Sequence, residues 1–126
     1  MSTRPTKIPG PDHLITITPN PAHITVSVEG RVIADTIDAL TLQEADYPAV
    51  QYIPRKDVDM SQLQRTDHAT YCPYKGDCAY YSVALGGERS INAVWTYEHP
   101  FDAVRQIKDH LAFYPDRVEI VEQSAD

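Results

Sequence analysis

Apolar and polar residues alternate with a period of two along much of this chain, the pattern of strands that bury one face. Leu14 to Thr18 alternates apolar residues with Thr, and Pro19-Asn20-Pro21 is expected to end that strand. Ile24, Val26 and Val28 alternate with Thr25 and Ser27, Glu29-Gly30 predicts a tight turn, and Arg31 to Thr36 returns as the partner strand. Short strands are expected at Leu40 to Leu42 and at Val50 to Ile53, before Pro54. From Arg55 to Leu63 the pattern loosens, with at most a helical turn near Asp57 to Met60. Ala79 to Leu85, rich in Tyr and Val, ends at Gly86-Gly87, and Ile91 to Tyr97 is its expected hairpin partner.

Near residues 100–111 the period changes. Phe101, Val104, Ile107 and Leu111 recur at helical spacing, Pro100 suits a first turn, and Asp102 and Lys108 complement a helix dipole at its two ends. The spacing predicts one late α-helix, followed by a Pro115-Asp116 turn and a last strand from Arg117 to Val121. Strands and helices do not alternate as in a parallel α/β sheet, so the expected class is mainly β and antiparallel. Pro5, Pro9, Gly10 and Pro11 make residues 1–12 a disordered N-terminal segment in this reading, with a single domain over 13–122 and a polar tail over 123–126.

The chain has 126 residues and a net charge of -7, which argues against binding to nucleic acid, where a basic surface displaces counterions from phosphate. No apolar run reaches the ~18 residues of a membrane helix, and no apolar stretch follows Arg4 and Lys7 as in a secretory signal. A cytoplasmic protein with Cys72 and Cys78 as free thiols is the expectation. The excess acid lies on the flanks: residues 1–46 hold three basic and six acidic side chains, 98–126 three and seven, and 47–97 five and five.

That balanced middle holds the residues with chemistry to offer. In Thr70-Tyr71-Cys72-Pro73-Tyr74-Lys75-Gly76, a lysine three residues beyond a cysteine can favour the reactive thiolate, while the plain alternative is a small buried residue beside a turn. His68, Cys72, Cys78 and His99 match no closed zinc spacing, so no metal or cofactor is expected. Asp57-Val58-Asp59 has the form of a Mg²⁺-holding triplet but follows no phosphate loop, and a solvated turn accounts for it. Tyr47, Tyr52, Tyr71, Tyr74, Tyr80, Tyr81, Trp95 and Tyr97 gather here with Arg55, Lys75 and Arg89. Aromatic walls with a few polar anchors build small-molecule pockets, and the same residues are also ordinary strand formers.

Ordered blocks carry a resemblance. Glu29-Gly30, Val32-Ile33-Ala34-Asp35, Leu42 with Glu44, Tyr52-Ile53-Pro54-Arg55-x-Asp57-Val58 and Thr70-x-Cys72-Pro73-x-Lys75-Gly76 are followed by Tyr80-Tyr81-Ser82-Val83, Ala93-x-Trp95-x-Tyr97, Pro100, and Ile107 with Ala112-Phe113-Tyr114. From about Ile24 to Val121 the chain resembles the bacterial family catalogued as domain of unknown function 427, labelled nucleotidyltransferase in some catalogues. The resemblance implies a β-tent-like fold of antiparallel sheets leaning together, similar to methionine sulfoxide reductase B and the ligand-binding domain of cereblon. Many β-tent proteins hold zinc with two C-x-x-C pairs, and this sequence has neither. Of the acidic triplet only Asp57 lies in a family block, and Cys78 lies outside the pattern.

The leading expectation is a small-molecule-binding module whose pocket uses Tyr52, Arg55, Lys75, Trp95 and Tyr97 to hold an anionic or carbonyl-bearing ligand. The alternatives are a thiol-dependent enzyme using Cys72, and a protein-interaction module without a ligand, for which a homodimer is one form.

Overall fold

In the computed structural model, which describes residues 4–124, ten strands form two antiparallel sheets. The smaller sheet grows from the predicted hairpin. Glu29 and Gly30 both take positive φ, 52° and 77°, so the chain reverses tightly between β2 (His23–Val28) and β3 (Arg31–Thr36). The last strand, β10 (Glu119–Gln123), adds to the other side of β2. The larger sheet contains β1 (Ile15–Asn20), β4 (Ala39–Glu44), β5 (Val50–Pro54), β6 (Leu63–Cys72), β7 (Gly76–Val83), β8 (Val94–Thr96) and β9 (His110–Phe113). Its order is β1-β4-β5-β9-β8-β7-β6.

Alternation along the central strands sends side chains to two separate cores. Ile53, Leu111, Phe113, Val94, Tyr81 and Val83 face the smaller sheet and pack against Ile24, Val26, Val28 and Ile33. Leu42, Tyr52, Ala112, Tyr80 and Cys78 lie on the opposite face, in a second cluster with Tyr97, Val104 and Ile107. Each large side chain taken from water in this way contributes about 1.5–3 kcal/mol. Among the described residues no buried side-chain nitrogen or oxygen lacks a hydrogen-bond partner. No helix of the described residues is long and apolar enough to cross a membrane.

The predicted α-helix over 100–111 is replaced by two shorter elements. A 3₁₀ segment spans Asp102–Ile107, interrupted at Val104 by φ -128° and ψ 22°, and β9 begins at His110. Phe101, Val104, Ile107 and Leu111 owe their spacing to burial, since Val104 and Ile107 enter the second core and Leu111 the first. The vacancy in the sheet between β5 and β8 decides the outcome: Leu111 pairs with both Ile53 and Thr96, and Phe113 with Val94. Sheet pairing on both sides outweighs local helix preference, which differs between ordinary residues by only ~0.7 kcal/mol each.

Two further differences have simple causes. β1 runs through Pro19 and Asn20, because β1 is an edge strand and a proline there need not donate to a neighbour. β6 escapes prediction because its stretch from Gln64 to Thr70 is polar and largely exposed on a sheet edge, with a register shift between Arg65 and Ala69. Residues 1–3 of the segment expected to be disordered and 125–126 of the expected tail lie outside the described residues. From Arg4 the segment runs along the β6–β7 turn, where Tyr71 Oη donates to the Pro5 carbonyl (2.8 Å) and Lys7 N to the Pro73 carbonyl (2.9 Å).

That turn depends on Gly76, whose φ is +111° and whose added Cβ would lie 3.2 Å from the His99 carbonyl oxygen. Gly76→Ala is expected to cost about 1–3 kcal/mol and lower the urea midpoint. Gly10→Ala, where nothing lies within 4 Å of an added Cβ, should leave the midpoint unchanged. Equal midpoints for the two variants would contradict this geometry.

Candidate functional site

The outer face of the large sheet is concave, and its inward positions form a cavity of about 240 Å³. Strand alternation delivers Leu42 and Glu44 from β4, Val50 and Tyr52 from β5, Trp95 from β8 and Tyr80 from β7 to this one face. Tyr97, Tyr114 and the Tyr47-Pro48 loop complete the wall, and Lys75 enters from the turn before β7. The aromatic side chains brace one another. Trp95 Nε1 donates to Tyr52 Oη (3.1 Å), their rings meet edge to face at 6.3 Å, and Tyr114 lies 4.5 Å from Trp95 on its other side. Tyr80 Oη shares a hydrogen bond with Thr70 Oγ1 (2.9 Å). Burial pushes the Tyr52, Tyr80 and Tyr97 phenols far above their ordinary range, so each stays a neutral hydroxyl.

The polar floor is an ion pair. Lys75 Nζ donates to Glu44 Oε1, with side chains only 10% and 15% exposed. The second Glu44 oxygen, Oε2, lies 2.8 Å from His13 Nε2, and the His13 ring stacks on Tyr74 at 4.1 Å. Burial pulls the Glu44 carboxyl upward, but the hydrogen bonds from Lys75 and His13 outweigh it, leaving the pKa below the usual carboxylate range. The turn aims the lysine: Lys75 N donates to the Cys72 carbonyl (3.2 Å), and the Lys75 carbonyl accepts from Phe101 N (3.0 Å).

Tyr52, Lys75, Trp95 and Tyr97 therefore line one cavity, and Arg55 does not. β5 ends at Pro54, the chain turns into a 3₁₀ segment over Arg55–Asp57, and the Arg55 side chain is exposed. Cys72 is half-buried, with Sγ 3.8 Å from Lys75 Nζ, and Cys78 is buried, its thiol pushed up by burial. The residue that sequence reasoning did not single out as a site is Glu44. The signal for it is an acid two positions after Leu42, on the inward side of an alternating strand.

The other candidates have structural duties. Asp57 accepts from Thr36 Oγ1 (2.7 Å) and from Lys56, which ties the β3–β4 corner to the turn after β5. Asp59 caps the next 3₁₀ turn by accepting from Ser61 N. His68 packs on the ring of Tyr80 at 4.4 Å. Among the described residues no three His, Cys, Asp or Glu side chains gather as metal ligands would.

Because its folded-state pKa is depressed, Glu44 contributes stability that is present above its unfolded-state value and is lost as pH falls through the folded value. Glu44→Gln is expected to cost about 1–3 kcal/mol at neutral pH, since Lys75 loses its charged partner. The variant should also show a shallower loss of stability with acid than the parent. Denaturant melts from neutral pH down to the carboxylate range test both effects, and parallel acid limbs would contradict the assignment.

No curated protein matches the chain. The described geometry rests on Glu29-Gly30 at the hairpin, Glu44 and Lys75 in the ion pair, and Tyr52, Trp95 and Tyr97 in the wall, and all of these lie within the 16–124 span that a family model matches. The chain belongs to the family described as Domain of unknown function (DUF427).

Proposed function

We propose that this protein is a small-molecule-binding module, and that the aromatic cavity floored by Lys75 and Glu44 is its binding site. The observation that carries the reading is the ion pair itself. Moving two charges out of water costs several kcal/mol per ion, and such a pair often adds nothing to stability compared with apolar packing. A pair kept at the base of an aromatic cavity has a use there as a paired donor and acceptor for a ligand.

The pairing also favours one of the two expected ligand classes. Glu44 already neutralises Lys75, and among the described residues no second lysine or arginine lines the cavity. An anion would meet the Glu44 carboxylate together with the ammonium. An uncharged carbonyl compound suits the floor better: its oxygen accepts from Lys75, its N–H or O–H donates to Glu44, and its flat part lies against Trp95 and Tyr52.

The thiol alternative is supported by one contact, between Cys72 Sγ and Lys75 Nζ at 3.8 Å. The ammonium that would assist the thiolate is committed to Glu44, and among the described residues no histidine or carboxylate bonded to Cys72 supplies a base.

A thermal-shift screen of amides, lactams and nucleobases, with carboxylates as the charged comparison, tests the reading. Uncharged carbonyl compounds should raise the melting temperature more than the matching carboxylates do. Trp95→Ala and Lys75→Met should each weaken binding at least about tenfold, the scale of one lost charge-assisted hydrogen bond or one aromatic contact. Arg55→Ala and Cys72→Ala should leave it unchanged. No stabilisation by any class, or a loss confined to Cys72→Ala, would defeat the proposal.

A further inference from the structure

A second cavity, of about 440 Å³, lies between the two sheets. Its inner walls are Ile24 and Val26 from β2, Ile53 from β5 and Phe113 from β9, all at most 5% exposed. Its rim includes Tyr47 and Ile120, which are 61% and 39% exposed. The space is a groove open along this rim, where Pro48, Ala49 and Pro115 are exposed as well, so its apolar inner walls face water rather than packed side chains. Water would find few hydrogen-bond partners in it.

The position of this cavity indicates what fills it. Tyr47, Pro48, Val50 and Trp95 line both cavities, so the apolar space adjoins the cavity floored by Lys75 and Glu44. On the binding reading above, a molecule held at the ion pair extends from Trp95 into the space between the sheets. A group that reaches from one cavity to the other must be flexible enough to follow these shared side chains, and what lies beyond must be apolar. An aliphatic chain meets both conditions.

We infer that the protein binds an uncharged amphiphile, with a carbonyl head on Lys75 and Glu44 and an aliphatic chain in the cavity between the sheets. Non-covalent binding accounts for every group involved. This names the ligand class for the site proposed above and adds the inter-sheet cavity as a second subsite.

Trp95 lines both subsites and is the only tryptophan in the chain, so its fluorescence reports occupation directly. The probes are hexanamide, octanamide and decanamide, titrated into the full chain. Affinity should rise roughly threefold to fourfold for each added methylene, the ratio expected of a buried chain. Ile120→Glu, at an exposed position on the rim, should weaken decanamide about tenfold or more and hexanamide about twofold or less, because only the longer chain meets the new carboxylate.

Equal affinity along the series, with binding still lost in Lys75→Met, would overturn this inference and leave the binding module intact. A chain-length effect that Ile120→Glu does not alter would also overturn it, since the chain would then lie elsewhere. A chain-length effect removed by Ile120→Glu but indifferent to Lys75→Met would support the inter-sheet subsite and remove the ion pair as the head-group site. The series on the unmodified protein decides the main point even if the variant is unstable.

Discussion

A lysine ammonium almost out of water must stay close to a carboxylate, and here the two come from distant parts of one sheet. Glu44 ends β4 and Lys75 precedes β7, with β5, β9 and β8 between them. Four strand spacings in a flat sheet would separate those strands by ~19 Å. Extended Lys and Glu side chains cover only part of that distance, so their direct hydrogen bond marks a curl of this end of the sheet and its turn toward β4, and the outer face is concave there. Tyr52 and Trp95, on strands inside the curl, become walls because of it. The same contact ties down the Cys72–Gly76 turn, and His13 on the other carboxylate oxygen adds the early part of the chain to the arrangement. Cavity, turn and N-terminal segment all meet at this one pair.

This explains why the candidate site was legible in part. Tyr52, Trp95 and Tyr97 are large residues in strands, and strand alternation places them on a face that pairing then assembles. Lys75 follows a Pro/Gly turn that could be read directly. Arg55 belongs to the same linear block as Tyr52, but Pro54 ends the strand and the following turn carries Arg55 to the surface. Linear proximity gives no warning of this. Glu44 looks like one more surface acid until the curl of the sheet brings Lys75 to it, and that curl is a property of seven strands together.

The fold divides similarly. The β2–β3 hairpin could be read from a two-residue turn, because Glu29-Gly30 is a local cause with a local effect. The segment from Pro100 to Leu111 could not, because its apolar spacing suits a helix and also suits a chain that must fill two cores and one gap in a sheet. β6 is held by its pairing with β7, and its mostly polar, exposed surface leaves little apolar pattern to read.

Two twisted sheets that lean together cannot keep one separation along their whole length. At one end the 3₁₀ segment Ala84–Ser90, which follows β7, packs on β2 so closely that an added Cβ on Gly86 would lie 3.1 Å from Val28 Cγ1 and collide with Ser90, whose Oγ bonds the Arg117 carbonyl. Toward the other end of the same strand, Val26 and Ile24 border open space. An open apolar groove at the wide end lies next to an ion pair at the base of an aromatic wall, and the two share four lining residues. On the reading proposed above, a single amphiphile, polar at one end and aliphatic at the other, would satisfy both at once.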